Sequence, residues 1–156
     1  LLREPLRHLV VNAVDHGIEP VEHRLGLGKP GIGTVSLVAS IADERLSIVV
    51  SDDGRGIDWE AVERAARARG LGTSPSELRA HLFLPGFSTV EHPSDFSGTG
   101  EGLALIADAV DRVGGSVRID SETGIGTTVK VDLPASLVLQ SVVIVAAGDQ
   151  FFGVVE

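Results

Sequence analysis

The stretch SDDGRGID, residues 51–58, places two aspartates and two glycines directly after the apolar segment LSIVV. A carboxylate accepts hydrogen bonds and donates none, so Asp52 suits a ligand that presents an amino group, such as the exocyclic amine of adenine. Gly54 and Gly56 allow positive φ and would let a flat ring lie close to the main chain. The alternative is a turn that enters a helix with a capping aspartate, and short glycine motifs are often such turns. The motif alone leaves both interpretations open.

A second glycine cluster, SGTGEG at residues 97–102, leads into an apolar segment with helical spacing. The first N–H groups of a helix have no partner within it, and glycines leave them accessible to an anion. Gly98, Gly100 and Gly102 could therefore cradle phosphate groups. A flexible linker is the alternative, because linkers have a similar composition.

Two further motifs carry polar side chains that could act on such a ligand. His8 and Asn12 are four residues apart and share a helix face, with Asp15 and His16 close to it. An amide oxygen is a hard ligand that suits Mg²⁺ when phosphates supply other ligands, whereas a solvated polar face is the common alternative. Thr127 follows the glycines of GIGT with a hydroxyl on a predicted strand, where threonine is often only a strand former.

The composition excludes several classes of function. The chain has 156 residues, enough for one domain and a fragment of a second, and it begins with Leu1 and lacks methionine, which suggests a piece of a longer protein. The absence of cysteine removes disulfides and thiolate metal sites. The formal net charge of -9 argues against a nucleic-acid surface, and the apolar runs are shorter than the roughly 20 residues of a membrane span. We therefore expect no nucleic-acid partner, no membrane insertion and a cytoplasmic location.

The elements that must position these residues are predicted from periodicity and stop signals. The predicted order begins with a helix over 2–16 that Gly17 ends, a loop over 18–32 that can hold a short helix, and strands over 34–41 and 45–51. A helix capped by Asp58 follows over 58–69, then a helix that starts at the capping box of residues 74–77 with Pro75 at its first position, a helix over 102–113, and strands on both sides of 124–126. Residues 84–102 have no period and are predicted to form a long loop, which in a compact domain is usually functional or mobile. After Pro134, two apolar strands flank a turn at 148–149. This order predicts an α+β sandwich with an antiparallel or mixed sheet covered by helices on one face.

Taken in order, these motifs resemble the GHKL ATP-binding fold and, within it, the chemotaxis histidine kinase CheA family. EPLRHLVVNAVDHGIEP resembles the N box of that family, SDDGRGID its first glycine box, FLPGFST its F-box region and SGTGEG its second glycine box. LPASLVLQSVVIVAAGDQFFGV resembles the junction into the CheW-like regulatory domain. The resemblance implies a two-layer α/β sandwich of the GHKL (Bergerat) fold with a mixed sheet. It also implies that residues 1–135 form the ATP-binding catalytic domain and residues 136–156 the truncated start of a CheW-like β domain.

The resemblance also implies roles for individual residues. Asp52 would bind the adenine amine, with Thr127 supporting it through water. Asn12 would coordinate Mg²⁺, and His8 on the same face would lie near the metal and the γ-phosphate, so these two are the expected catalytic residues. The other residues that it assigns to nucleotide binding are Asp15, His16, Gly54, Gly56, Ile57, Ser97, Gly98, Thr99, Gly100 and Gly102.

The function implied by the resemblance is that of a CheA-like two-component histidine kinase. ATP and Mg²⁺ would be its cofactors, and the γ-phosphate would pass to a histidine on a separate phosphoacceptor domain of the same protein or of a dimer partner. A response regulator, a CheW-like adaptor and a receptor are the further partners implied. Phosphoryl transfer needs positioning and charge neutralisation more than covalent help from the protein.

Two alternatives remain at the level of sequence. ATP hydrolases of the same fold use a glutamate four residues before the metal-binding asparagine to activate water, and His8 stands there, which favours a kinase. The second alternative is a degenerate nucleotide-binding or interaction module with weak or no kinase activity. Its support is the segment 84–102, which has no Lys or Arg but contains Glu91, Asp95 and Glu101, and has Thr99 where relatives usually carry arginine.

Overall fold

The computed structural model describes residues 3–89, 102–135, 142–147 and 150–155. The helices in these ranges are α1 (Arg3–Asn12), α2 (Val21–Gly26), α3 (Trp59–Ala68), α4 (Pro75–His81) and α5 (Gly102–Asp111). The strands are β1 (Val35–Ala42), β2 (Arg45–Asp52), β3 (Ser116–Glu122), β4 (Gly126–Pro134), β5 (Val142–Ala147) and β6 (Gln150–Val155). None of these helices has the length and apolar character that crossing a membrane requires. The predicted order of helices and strands is confirmed.

Four strands form one sheet in the order β1-β2-β4-β3. All three neighbouring pairs are antiparallel, so the mixed sheet implied by the resemblance is not found among the described strands. Tight turns join β1 to β2 and β3 to β4, and a tight turn reverses the chain, so these two pairs are antiparallel. The third pair is antiparallel because β4 enters the sheet beside β2 in the opposite direction. Asp43 and Glu44 at the first turn both have positive φ, 49° and 57°, as a two-residue hairpin of type I′ requires. The α+β class is confirmed.

One face of the sheet carries apolar residues in register and is covered by α1 and α5. Across β2 and β4, Ile48 pairs with Val131 and Val50 pairs with Val129. Leu9 of α1 and the α5 residues Ile106 and Val110 pack against them in one buried cluster. Residues paired across β2, β4 and β3 form rows, and the next row on the same face consists of Asp52, Thr127 and Ser121. This last row, called the polar row below, is where the apolar core side of the sheet ends.

Helices α3 and α4 lie beside this core and have a smaller cluster of their own. Its buried members are Val62, Ala66, Leu78 and Phe87. Asp58 caps α3 by accepting a hydrogen bond from the N–H of Ala61 at 2.9 Å, as predicted. Ser74 and Glu77 form the predicted capping box of α4, with Pro75 at its first turn. The first residues of both helices are thus fixed by hydrogen bonds to capping side chains.

The end of α1 differs from an ordinary helix. The chain continues from Asn12 as a single wider π-helical turn, Ala13–Gly17, in which the N–H of Ile18 donates to the carbonyl of Ala13 at 2.8 Å. The predicted stop at Gly17 is confirmed, but the change of helix type is not visible in the sequence. Widened turns of this kind often occur at functional sites.

The two C-terminal strands form a separate two-stranded sheet. Strands β5 and β6 pair antiparallel with Val142 opposite Val155 and Ala147 opposite Gln150. The prediction of two strands after Pro134 is therefore confirmed. A hairpin of two strands is marginally stable alone in water, so further strands or a packing partner are expected for it.

Candidate functional site

Asp52 lies at the end of β2 in the polar row, where it faces the same side of the sheet as the apolar core. Its carboxylate accepts a hydrogen bond from the N–H of Gly54 at 2.9 Å. Burial raises the pKa of Asp52, and the negative charges of Asp53 and Glu19 add to this, although backbone N–H groups of Gly54 and Thr127 oppose it. The result is a half-buried acceptor, held in place by the main chain, at the edge of an apolar layer.

The glycines around Asp52 allow three backbone segments to meet. A Cβ added at Gly54 would lie 2.1 Å from the carbonyl oxygen of Gly17, and one at Gly126 would lie 2.0 Å from the carbonyl oxygen of Asp52. The N–H of Arg55 donates to that same oxygen of Gly17 at 2.8 Å. A Cβ at Gly17 would also lie 3.0 Å from the Asp52 carboxyl carbon. A side chain at Gly17 or Gly54 would therefore push the π-helical turn away from the Asp52 carboxylate.

Gly56 ties the same loop to the hairpin between β3 and β4. Its φ of 71° agrees with the expectation of positive φ, which Gly54 does not share, and an added Cβ at Gly56 would lie 2.3 Å from the carbonyl oxygen of Glu122. The N–H of Gly124 donates to the carbonyl of Arg55 at 2.7 Å. The two glycines of the motif are thus both explained by close approach of other backbone segments. The approach of a ligand ring to them stays a prediction.

The polar row is joined by side-chain hydrogen bonds to the loop that follows Asp52. Ser121 donates to the carbonyl of Gly126 at 2.9 Å, and its hydroxyl lies 3.1 Å from that of Thr127. The N–H of Ile57 donates to the Ser121 hydroxyl at 2.8 Å. Thr123 closes the other side by donating to the carbonyl of Ile57 at 3.0 Å. Thr127 and Ile57, both expected at the site, are therefore held in one connected group.

A buried charge network supports the loop from the opposite side. Arg24 is fully buried, and its guanidinium donates to Glu19 and Asp53, each at 2.9 Å, and to the carbonyl of Pro30 at 2.7 Å. The ammonium of Lys29 donates to Glu19 at 2.8 Å and to the carbonyls of Asp53 and Gly54 at 2.9 and 2.7 Å. These two cations fix the backbone of the two residues that follow Asp52.

The acids of this network titrate at low pH because of their cations. Burial by itself raises the pKa of Glu19, but the bonds and charges of Lys29 and Arg24 outweigh it and hold that pKa at about 2, against an ordinary value of 4.5. Burial also raises the pKa of Asp53, and there the N–H of Thr34 and the Arg24 guanidinium outweigh it, so the pKa is lowered. Both carboxylates are therefore ionised at neutral pH.

Replacing Arg24 by methionine should destabilise the protein by about 3–5 kcal/mol, the usual cost of leaving buried charges without their partner. Glu19 and Asp53 would lose a cation that is fully buried with them. Arg67→Met is the matched control, because Arg67 makes an exposed pair on α3 whose loss should cost within about 0.5 kcal/mol. Urea unfolding of both variants measures the difference. Equal midpoints for the two variants would contradict a supporting role for the network.

Acid should unfold the protein partly through Glu19. Its folded-state pKa is depressed, so the stability it contributes is complete above pH 4.5 and is lost as the pH falls through about 2. In Glu19→Gln this contribution is absent at every pH, so the variant should be less stable near pH 6 but lose less stability on acidification. Urea unfolding at pH 6 and pH 3 compares the two proteins. Parallel losses in both would show that Glu19 is not an acid-sensitive support.

Asn12, the last residue of α1, lies beside the first residue of α5. A Cβ added at Gly102, the first residue of that helix, would lie 3.2 Å from the side-chain nitrogen of Asn12. His8 lies one turn back on α1, in a groove of about 240 Å³ that α1 forms with Leu105 and Asp108 of α5. The amide is thus beside the first turn of α5, and a helix N-terminus is a place that favours anions.

The described residues offer little else to a metal ion. No three His, Asp or Glu side chains converge within the described ranges. The metal site at Asn12 and His8 therefore stays a prediction, in which phosphate oxygens and water would complete the shell of a Mg²⁺ ion that loses its waters reluctantly.

The remaining predicted site residues fall in two groups. Asp15 and His16 are exposed on the π-helical turn, next to Gly17, which contacts Asp52. Ser97, Gly98, Thr99 and Gly100 lie outside the described residues, as does Glu101, so the predicted phosphate loop is described only from Gly102 onward. The structure thus brings Asp52, Thr127, Gly54, Gly56 and Ile57 together, and places Asn12 and His8 along the α1–α5 contact.

Several residues of the site were missed at the sequence level. Ser121 was not singled out, because its place in the polar row follows only from the strand register. Glu19, Arg24 and Lys29 lie in a Pro- and Gly-containing segment without period, and nothing in their spacing indicates a common partner. Gly17 was interpreted only as a helix stop, although it also faces Asp52.

Comparison with known proteins places this geometry among the ATPases of one family. The family of histidine kinase-, DNA gyrase B- and HSP90-like ATPases matches residues 1–137. The chain is 40% identical over 154 residues to the chemotaxis protein CheA of Cereibacter sphaeroides, covering 96% of this chain and 22% of that protein. It is 39% identical to the gliding motility regulatory protein of Myxococcus xanthus, covering 97% and 20%. It is 35% identical to the sensor histidine kinase CheAY of Helicobacter pylori, again covering 97% and 20%. The chain spans about a fifth of the length of these relatives.

Solved structures give the same result for the fold. Full-length ShkA in complex with AMPPNP superposes with a TM-score of 0.54 and 25% identity, over 85% of this chain and 21% of that chain. The mycobacterial sensor histidine kinase MprB superposes with a TM-score of 0.50 and 24% identity, over 83% of this chain and 70% of that chain. The second likeness concerns the fold alone.

Proposed function

The chain belongs to the family of histidine kinase-, DNA gyrase B- and HSP90-like ATPases, and on that premise we propose that it is the ATP-binding catalytic domain of a CheA-like histidine kinase. The observation that carries the proposal is the polar row, in which Asp52 and Thr127 lie side by side where the apolar, helix-covered side of the sheet ends. An adenine needs apolar faces and a hydrogen-bond acceptor for its amine; the row supplies the acceptor, and the apolar layer that it borders would supply the faces.

We assign base recognition to Asp52, with Thr127 beside it and the loop of Gly54, Gly56 and Ile57 forming the adjoining wall. The ionised carboxylate accepts from the amine of adenine and disfavours guanine, which presents a carbonyl oxygen at that position. ShkA, to which this chain is similar, was solved in complex with AMPPNP, and this supports an adenine nucleotide here. Asp15 and His16, exposed beside Gly17, would face the ribose and phosphates.

We assign the phosphates to the N-terminus of α5 and the preceding glycines, Gly98, Gly100 and Gly102, together with Ser97 and Thr99. Asn12 would hold Mg²⁺ through its amide oxygen, and His8 would lie near the metal and the γ-phosphate. A bound magnesium nucleotide supplies the phosphoryl group and neutralises the charge that develops on it. The chain's own residues bind and orient it, and the apolar layer behind the polar row excludes water from the base.

The partners belong to the same proposal. The γ-phosphate would pass to a histidine on a phosphoacceptor domain of the same protein or of a dimer partner, and from there to a response regulator. A CheW-like adaptor, a receptor and a cytoplasmic location follow from the similarity to CheA proteins. Strands β5 and β6 within 136–156 would open a CheW-like β domain, because their two-stranded sheet needs further strands.

Phosphoryl transfer to a supplied acceptor tests this function. The chain is incubated with ATP labelled at the γ-phosphate, Mg²⁺ and the phosphoacceptor domain of a CheA relative, with that domain's histidine replaced by glutamine as the control. We expect label on the acceptor only when its histidine is present. Release of inorganic phosphate without labelling would favour the hydrolase alternative, and ATP binding without either product would favour a degenerate binding module.

A further inference from the structure

Ser121 of β3 is the end member of the polar row, on the far side of Thr127 from Asp52. It pairs with Thr127 across β3 and β4, as Thr127 pairs with Asp52 across β4 and β2, so the three side chains lie on one face. The Ser121 hydroxyl also contacts the loop after Asp52, where it accepts from the N–H of Ile57. We propose that Ser121 is a positioning residue for base recognition, which acts by fixing the Thr127 hydroxyl and the Ile57 backbone relative to Asp52. The proposal rests on the adenine site proposed above.

The Ser121 hydroxyl restricts the orientation of the Thr127 side chain. A half-buried threonine on a strand has several staggered rotamers, and only some of them direct the hydroxyl along the row. The contact of 3.1 Å with the Ser121 hydroxyl selects among them. Ser121 is itself fixed, because it donates to the carbonyl of Gly126 at 2.9 Å and accepts from Ile57 at 2.8 Å. The Thr127 hydroxyl is therefore preset before any ligand arrives.

Ser121 also holds the loop that borders the site. Gly56 has positive φ, and its neighbour Ile57 is held on both sides, by Ser121 at its N–H and by Thr123 at its carbonyl. Removing the Ser121 hydroxyl would leave the Ile57 N–H without that partner and free both the loop and Thr127. The variant would therefore lose affinity for the base, while the metal site would be unaffected because Asn12 lies on α1 beside Gly102.

The test measures binding of ATP and of ITP, whose base carries a carbonyl oxygen instead of the amine. The variant Ser121→Ala should bind ATP about three- to tenfold more weakly, the range expected for one hydrogen bond, and its preference for ATP over ITP should narrow by a similar factor. Ser121→Thr, which keeps the hydroxyl on a strand-favouring residue, should restore both. In a double-mutant cycle with Thr127→Val, the two losses should be clearly less than additive.

Thr128→Ala is the matched control, because Thr128 follows Thr127 on β4 and lies on the opposite face of the sheet, away from the polar row. It should leave the preference for ATP over ITP unchanged. If Ser121→Ala does not fold, Ser121→Cys, which keeps the shape but weakens the hydrogen bonds, takes its place. An unchanged preference in the alanine or cysteine variant, or additive losses with Thr127→Val, would overturn the inference and leave the function standing. A wild-type chain that binds neither nucleotide would overturn both.

Discussion

Asp52→Asn should reduce the affinity for ATP by about a hundredfold or more while the fold stays intact. The amide keeps the size of the carboxylate and can still accept from the N–H of Gly54. It loses the charge, however, and its NH₂ group can face the adenine amine with a donor, so a charge-assisted bond is replaced by an unpaired group. Calorimetric titration with ATP, together with the thermal midpoint of each protein, measures the two effects separately.

The neighbouring aspartate supplies the matched control. Asp53 accepts from Arg24 and from the N–H of Thr34, so it supports the loop and does not face the polar row. We expect Asp53→Asn to lower the thermal midpoint but to keep most of the ATP affinity at temperatures where it is folded. Asp52→Asn should thus lose ATP affinity with little change in the thermal midpoint, whereas Asp53→Asn should lower the thermal midpoint with little change in ATP affinity. A folded Asp52→Asn protein with unchanged ATP affinity would contradict the assignment of the adenine site.

Asn12→Ala should abolish the part of nucleotide binding that depends on Mg²⁺ and reduce phosphoryl transfer by about a hundredfold or more. In the described residues no cluster of acids could replace the lost amide oxygen as a metal ligand. Loss of an outer-shell partner of a metal ligand typically costs 10- to 100-fold, and loss of a direct ligand should cost at least as much. Binding of ATP in the presence of a chelator should change much less, because the base and the helix N-terminus do not need the metal. Titrations with and without Mg²⁺ and transfer to a supplied acceptor domain measure the three quantities.

Val11→Ala is the control for this prediction. Val11 is exposed on the same helix, one residue before Asn12, and lies outside the buried cluster. Its replacement should leave Mg²⁺-dependent binding and phosphoryl transfer unchanged. Full transfer activity in Asn12→Ala, with the metal dependence of the wild type, would remove Asn12 from the metal site.

The parts of the fold that depend on local chemistry could be predicted from the sequence. The cap at Asp58, the capping box at Ser74 and the hairpin turns each rest on a few adjacent residues, so their sequence patterns are sufficient. The strand end at Asp52 could be predicted for the same reason, because the apolar segment stops there. The antiparallel direction of the β2–β4 pair could not be predicted, since it depends on how β4 enters the sheet beside β2.

The parts of the site that depend on distant contacts could not be predicted. Arg24 meets Asp53 across 29 positions, and Ser121 meets Ile57 across 64, with no periodic signal to link either pair. The glycines illustrate the same limit. Their number suggested a ligand, while the structure shows that Gly54 and Gly126 are also required by backbone segments about 2 Å from where a Cβ would lie. Register and packing, which a single sequence does not display, decide both features.

Binding of magnesium ATP at the polar row can be tested by calorimetric titration of the 156-residue chain with ATP, with and without Mg²⁺. We expect one site per chain, an affinity that rises with Mg²⁺ and falls sharply in Asp52→Asn, and weaker binding of ITP than of ATP. An absence of binding by the folded wild-type chain, or equal binding of ATP and ITP, would contradict it.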